Sequence, residues 1–460
     1  MQGMVKRLIS KLKYINRLII STSEDSQKIL LKQRDTETAV RDVQIVLDEI
    51  RKEIECQKQV QERIKNVTEQ VQQDYNKSMR YVNLEYLYLL DSTDKKILLA
   101  GFYGARNLGD ELMMQKVYQD LNIDKSRVYV LMCDNADLDV FRYPGMNMLH
   151  YPKTRFDYSF LADQFECVIF GGGAIIDDVM YRKKDSFTFD MGKIFAELGS
   201  AFIQRKKKVY SLGLSTSKEL TDAEYIDKVK NIIGGSSYFS VRDKYSAELL
   251  RKITGQDIRQ INDIVLTYDR PKMEDARTQD RMIIGIIWIC YEDLREQLYY
   301  LLREVLVFYT EMDLEIRLIP FYDYCNCDYN FYLRTKEDFK NDERIILADM
   351  PGTFDEIYHE LRNCSLILSM RYHGALIGMM TGRRTCSLLY GEHRHYYNKM
   401  LDLYEKFDHK EDLFSSVEEL CEHVKTNDIS GSQTETPISS DFDNSEYERV
   451  IKEICNGMNN

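Results

Sequence analysis

Ten cysteines occur in 460 residues, yet none forms a CxxC pair, and only Cys325 and Cys327 stand close together. No second pair and no histidine follows them at ligand spacing, so no metal site is expected. Thiols scattered in this way, with no secretory leader, suit a reducing compartment, and a cytoplasmic location is expected. No run of 18 apolar residues occurs, so no membrane-spanning helix is expected. Positive charge is also short: the formal net charge is −12. That balance excludes the basic footprint of a nucleic-acid binder, although a local arginine cluster can still hold a small anion. Prolines number only 6, which leaves long stretches free to be helical. What remains is 44% hydrophobic and long enough for two or three domains.

Glycine and proline are both absent from Met4 to Ala100. Within residues 1–22, Val5, Leu8, Ile9, Leu12, Ile15 and Ile19 share one helical face, and Lys6, Arg7, Lys11, Lys13 and Arg17 fill the rest. A basic amphipathic helix of this kind can lie on the inner face of a membrane or pack on a partner. Over residues 23–93, Val40, Val43, Leu47, Ile50 and Ile54 alternate steps of three and four, and Val60, Ile64, Val67 and Val71 resume the rhythm. This spacing predicts a coiled-coil arm that makes the protein a homo-oligomer.

From residue 94 the pattern changes to short apolar runs ending in glycines or charges. The run Ile97–Ala100 leads into GFYGARNLGDE, residues 101–111, then into a helical stretch. The run Cys167–Phe170 leads into Gly171-Gly172-Gly173, with Asp177 and Asp178 just beyond. Consecutive glycines leave backbone N–H groups free for an anion or a sugar hydroxyl, and the two aspartates could accept from a polyol. Further strands are expected at Val128–Leu131, at Lys208–Gly213 and at Tyr238–Asp243, the last carrying Arg242. By itself, Arg242 would serve as the ion-pair partner of Asp243.

A polar stretch, Arg270–Asp280, separates residues 94–275 from a second unit, 276–425, which opens on the strand RMIIGIIWI. Its central feature is Cys364–Arg384, where an apolar strand ends in Arg371-Tyr372-His373-Gly374 and a small-residue helix begins. Open α/β sheets bind ligands at such strand ends. HRHYYNK, residues 393–399, reads as a polar-aromatic loop beside that corner. Residues 426–460 read as a flexible tail with a short terminal helix. The fold class expected is α/β: two Rossmann-like domains facing a cleft, preceded by the helical arm.

These pieces in this order resemble the polysaccharide pyruvyl transferase family: GFYGARNLGDE, IFGGGAIID, SLGLS, SVRDKYSAELL, the Asn262-Asp263 turn, SMRYHGALIG and Lys399 downstream. The likeness covers about Lys95 to Asp402. It departs at Tyr372, where the family often has leucine, and at Ile264, where proline is common. The resemblance implies a GT-B-like fold and transfer of pyruvate from phosphoenolpyruvate (PEP) onto two hydroxyls of a saccharide as a cyclic ketal, in cell-surface polysaccharide synthesis. PEP is then a donor substrate, with no further cofactor and no metal. Arg242, Arg371 and His373 are implied as catalytic. Gly104, Asn107, Asp110, Glu111, Gly171, Gly172, Gly173, Asp177, Tyr372 and Lys399 are implied on the substrate side.

The chemistry agrees with that assignment. PEP carries a carboxylate and a phosphate, which call for the fork geometry of arginine. Proton transfer calls for a group titrating near neutrality, and His373 suits it as acid or as base. The resemblance implies a saccharide acceptor, free or lipid-linked. Two rival readings use the same residues differently. One is a GT-B glycosyltransferase taking a nucleotide sugar. The other is a non-catalytic assembly protein whose function is the coiled coil.

Overall fold

The computed structural model describes residues 95–133, 145–152, 155–178, 190–216, 219–271, 281–323, 327–389, 394–426 and 442–459, with scattered residues before 95. The chain divides into two compact units, Met1–Tyr81 and Val82–Asn460.

In the first unit the described residues are helical at Ile9–Lys11 and over residues 40–48. Lys11 Nζ meets Asp42 Oδ2 at 3.1 Å, so two helical pieces come together there. Val40 and Ile54, two of the expected seam residues, are exposed. Most of the segments read as an amphipathic helix and a coiled coil lie outside the described residues.

The second unit holds two parallel sheets. The first contains β1 (Ile97–Ala100), β2 (Val128–Met132), β3 (Asn147–His150), β4 (Cys167–Gly171), β5 (Lys208–Leu214), β6 (Tyr238–Val241) and β7 (Arg259–Gln260), in the order β3-β2-β1-β4-β5-β6-β7. The second contains β8 (Met282–Ile287), β9 (Leu314–Leu318), β10 (Ile345–Leu347), β11 (Leu366–Ser369), β12 (Thr385–Leu388) and β13 (Leu413–Phe414), in the order β10-β9-β8-β11-β12-β13. Continuous apolar runs such as MIIGII in β8 are buried along their whole length, as a parallel strand covered on both faces requires. Strand order reverses between β1 and β4 and again between β8 and β11. Those two switch points are where an open α/β sheet leaves a crevice.

An apolar cluster joins the two halves, running from the helix Leu108–Asp120 to the helices Phe354–Arg362 and Tyr372–Met380. Tyr268 stacks on Phe354 across that junction with ring centroids 4.4 Å apart. The expected short closing helix is longer than read, Ser445–Asn459, and it returns to the first sheet's domain. It buries Tyr447, Val450, Ile451, Ile454, Cys455 and Met458. Tyr447 donates to Asp120 Oδ2 at 2.9 Å, and Arg127 Nη2 donates to the Met458 carbonyl at 2.8 Å. The stretch expected as a polar loop at 393–399 is instead the start of the helix Arg394–Lys406, with residue 393 outside the described residues. Among the described residues no helix is long and apolar enough to cross a membrane.

Candidate active site

Between the two sheets lies a cleft of about 280 Å³, lined by Asn107, Asp110, Ala174, Asp177, Arg242, Ile289, Phe321, Arg371, Tyr372, His373 and Lys399. The loops after β1, β4, β8 and β11 all contribute, so both switch points open into it.

One corner is built at the end of β6. Asp243 caps the helix Lys244–Thr254 by accepting the Ser246 N–H at 2.7 Å, and it also accepts the Ser215 hydroxyl. A capping carboxylate is committed to backbone donors. The ion pair read from sequence, Arg242 with Asp243, is therefore replaced by one with Asp263, at 2.7 Å from Arg242 Nη1 to Asp263 Oδ2. The other oxygen of Asp263 accepts the Val265 N–H at 2.9 Å. His373 Nε2 completes the group, 3.2 Å from Arg242 Nη1 and 3.4 Å from Asp263 Oδ2. The Arg242 guanidinium also lies over the Tyr372 ring at 4.6 Å. Arg242 is 5% exposed, and its buried Nε has no hydrogen-bond partner among the described residues. Burial alone would raise the Asp263 pKa, but His373 and Arg242, with the hydrogen bonds it accepts, hold it well below the usual carboxylate range.

The β11 end supplies the second cation. Arg371 is the N-cap residue of Tyr372–Met380, and its Nη2 meets both oxygens of Asp328, at 2.7 and 3.0 Å. Asp328 also accepts the N–H groups of Phe321 and Tyr322, at 2.9 and 2.7 Å. That carboxylate fixes the guanidinium and the loop after β9 together.

The opposite wall starts at the N-terminus of Leu108–Asp120. Gly109 has no room for a side chain, because a Cβ there would lie 1.8 Å from His373 Nδ1. The glycine thus seats the imidazole of the other domain rather than a ligand. Next to it, Asp110 is buried, and its carboxyl makes no hydrogen bond among the described residues. Its carboxyl rests against Gly173, where a Cβ would lie 2.9 Å from Asp110 Oδ1. Burial pushes its pKa up to about 6, against the pull of His373, Arg242 and Lys399. Lys399 enters from Arg394–Lys406 and is 4% exposed, and its ammonium has no ion pair or hydrogen bond among the described residues. Burial, and then Arg242, bring its pKa down to about 8.

Several residues expected on the substrate side support the walls instead. Glu111 accepts the N–H groups of Gly104 and Arg106, at 2.9 and 3.0 Å, and so shapes the loop after β1. Gly171 and Gly172 admit Tyr103 and Met113: a Cβ would lie 2.5 Å from Tyr103 Oη and 2.4 Å from Met113 Sδ. Asp178 is fully buried and accepts the Asp222 N–H at 2.6 Å, so it is not turned to a polyol. Asp177, Asn107, Tyr372 and Lys399 do line the cleft with the three expected catalytic residues. Sequence reasoning gave no role to Asp263 or Asp328. Asp263 was signalled by its acidic turn, whereas Asp328 had no signal beyond its charge.

The loops after β1 and β9 also bond to each other. The Leu108 N–H donates to the Phe321 carbonyl at 3.0 Å, and Arg106 Nη1 meets Asp323 Oδ2 at 2.9 Å. Away from the cleft, Cys386, Asp412 and His423 place potential metal-ligand atoms together. A protein cation already fills that cluster, since Arg384 Nη2 lies 2.6 Å from His423 Nε2 and 3.2 Å from Asp412 Oδ1.

The family model for polysaccharide pyruvyl transferase matches residues 107–392, more than half of the chain. The chain belongs to this family. It is therefore a transferase, with polysaccharide pyruvylation as its general activity. No curated protein matches the chain. Solved structures share the fold at low identity. The Staphylococcus aureus MnaA–UDP complex has a TM-score of 0.50 at 12% identity, over 79% of this chain and 97% of that one. A putative UDP-N-acetylglucosamine 2-epimerase from Listeria monocytogenes gives the same four values. Anabaena HepE, bound to UDP and glucose, has a TM-score of 0.50 at 12% identity, over 79% of this chain and 100% of that one. These likenesses establish a GT-B-like arrangement of two parallel-sheet domains and nothing about ligands.

Proposed function

We propose that this transferase takes its pyruvate from PEP and places it on two hydroxyls of a saccharide as a cyclic ketal. The observation that carries the reading is Lys399, a buried cation facing the cleft with no carboxylate of its own among the described residues. An ammonium in that setting calls for an anion to complete it. Arg242 and Arg371 approach from different domains, each already oriented by an aspartate. Two guanidinium groups and one ammonium suit a ligand carrying a carboxylate and a phosphate. The cleft also suits the reaction, since Asp110, His373 and Lys399 are titratable groups lining the same small space.

In the reaction the PEP methylene gains a proton and one acceptor oxygen bonds to C2. A second acceptor oxygen then bonds to C2 as the bond to phosphate breaks. One hydroxyl proton ends on the new methyl group and the other on inorganic phosphate. Asn107 and Asp177, on the wall opposite Arg371, are the polar groups for the acceptor. A lipid-linked acceptor would suit an N-terminal helix lying on a membrane, with oligomerisation through the segment after it.

Thermal shift decides between donors. PEP is expected to raise the melting temperature, while UDP and UDP-N-acetylglucosamine leave it unchanged. Lys399→Met should weaken PEP binding about tenfold to a hundredfold, the worth of one charge-assisted hydrogen bond. Phosphate release from PEP with p-nitrophenyl glycosides of glucose, galactose and N-acetylmannosamine then identifies the acceptor. Stabilisation by the nucleotide sugar but not by PEP would return the chain to the glycosyltransferase reading.

A further inference from the structure

This inference rests on the PEP reading and concerns the proton that PEP must gain. His373 was expected to carry it, but its ring is engaged on both edges. Its Nε2 faces Arg242 and Asp263, and its Nδ1 edge lies on Gly109. Asp110 is placed differently. Its carboxyl lines the cleft, is buried, and receives no hydrogen bond among the described residues. Carboxylates meant to stay ionised in this fold are given donors. Asp263 has Arg242 and the Val265 N–H, and Asp328 has Arg371 and two backbone N–H groups. A buried carboxyl left without donors favours its neutral form, which holds a proton to give.

We propose that Asp110 is a catalytic residue that, in its protonated form, hands its proton to the methylene carbon of PEP. The C2–C3 π pair forms the new C3–H bond, which leaves C2 electron-poor. The first acceptor oxygen then bonds to C2, and its proton returns to the Asp110 carboxylate. In the second half the C2–O bond to phosphate breaks with its electron pair on phosphate. The second acceptor oxygen bonds to C2, and its proton leaves on that phosphate. Asp110 ends as it began, and no other reactant is consumed.

The charged groups facing Asp110 are His373 from Tyr372–Met380, Arg242 after β6, Lys399 from Arg394–Lys406 and Asp263 after β7, with Asp177 also on the cleft wall. The pKa pushed up to about 6 agrees with a carboxyl poised to take up a proton. A multiply charged anion arriving beside it raises the pKa further, so PEP binding and proton uptake are linked.

Calorimetry of PEP binding in two buffers of different ionisation enthalpy reads this linkage without any acceptor. At about pH 7.5 the wild type is expected to take up about half a proton or more per PEP, and Asp110→Asn clearly less, the remainder being the fraction of a proton that Lys399, with its pKa near 8, takes up beside the anion. Asp110→Asn should bind PEP at least as tightly as wild type, while Asp110→Glu recovers most of the uptake. With an acceptor from the glycoside panel, Asp110→Asn should lower kcat about 100- to 10,000-fold. Equal uptake in wild type and Asp110→Asn, or no uptake by a wild type that binds PEP, would overturn the assignment of Asp110 alone. A wild type that does not bind PEP removes the donor reading and this inference together.

Discussion

Two walls of the same cleft each depend on a buried aspartate, Asp110 lining it and Asp263 standing behind Arg242 and His373, and the two end on opposite sides of the ordinary carboxylate range. Asp263, at the corner after β7, is pulled down. Asp110, at the start of Leu108–Asp120, is pushed up to about 6. Burial does not separate them, since they are 2% and 7% exposed, and Arg242 and His373 act on both. A helix N-terminus should even favour the anion at Asp110. The difference is contact: the Arg242 and His373 groups lie directly against Asp263, which also accepts the Val265 N–H, whereas Asp110 has no ion pair and receives no hydrogen bond among the described residues. In a low-dielectric cleft a charge in direct contact counts for more than the same charge held further away. One wall is thereby a finished anchor, and the other is left for a ligand or a proton to complete.

The strongest test of the anchor is Asp263→Asn. It leaves Arg242, 5% exposed, without its carboxylate, and removing one partner of a buried ion pair costs about 3–5 kcal/mol. Denaturant unfolding at neutral pH should show that loss. The sign with pH follows from the lowered folded pKa. The wild type keeps this stabilisation above the unfolded-state value and loses it as pH falls toward the folded one, so the two proteins converge in acid. Equal unfolding midpoints at neutral pH would mean that the anchor is not one.

At the other wall the same substitution should act with the opposite sign. The folded-state pKa of Asp110 is raised from 3.8 to about 6, so the folded chain holds more protons than the unfolded one between those values. Above about pH 6 the ionised side chain is then a cost of about 3 kcal/mol, which Asp110→Asn avoids. The variant should be more stable than wild type at high pH, with the advantage gone below about pH 4. Thermal unfolding across that range checks it, and a destabilised Asp110→Asn at high pH would erase the contrast between the walls. A gain in stability from losing a catalytic group is the usual trade between function and folding.

Much of this site was legible from residue order, and the rest depends on what chain folding brings together. Strands such as CVIFG and MIIGII are readable because a covered parallel strand is apolar throughout. The two-residue strands Arg259–Gln260 and Leu413–Phe414 are too short to show any period. Arg242, Arg371 and His373 are visible as charges where an apolar run stops. Their partners are not, since Asp263 lies 21 residues from Arg242 and Asp328 lies 43 from Arg371. The glycines were the most misleading. A missing Cβ shows in the sequence, but what fills the space does not, and here Tyr103, Met113 and His373 fill it. The helix at Arg394–Lys406 was missed because histidine, tyrosine and asparagine at its start are weak helix formers.

Gly109 links the two walls, because it precedes Asp110 in the chain and supports His373 in space. A methyl group at 109 would meet His373 Nδ1 at 1.8 Å. The ring cannot simply retreat, since its far side faces Arg242 at 3.2 Å and Asp263 at 3.4 Å. Gly109→Ala should therefore cost about 1–3 kcal/mol as an overpacked contact. A glycine within a helix replaced by alanine would otherwise gain a little stability, even in the first turn, so the sign identifies the clash. In a His373→Ala background the space is open, and the same substitution should become neutral or stabilising. The double-mutant cycle by denaturant unfolding reads this coupling directly. If Gly109→Ala costs the same with and without the imidazole, the glycine answers to its own helix, and the two walls stand independently.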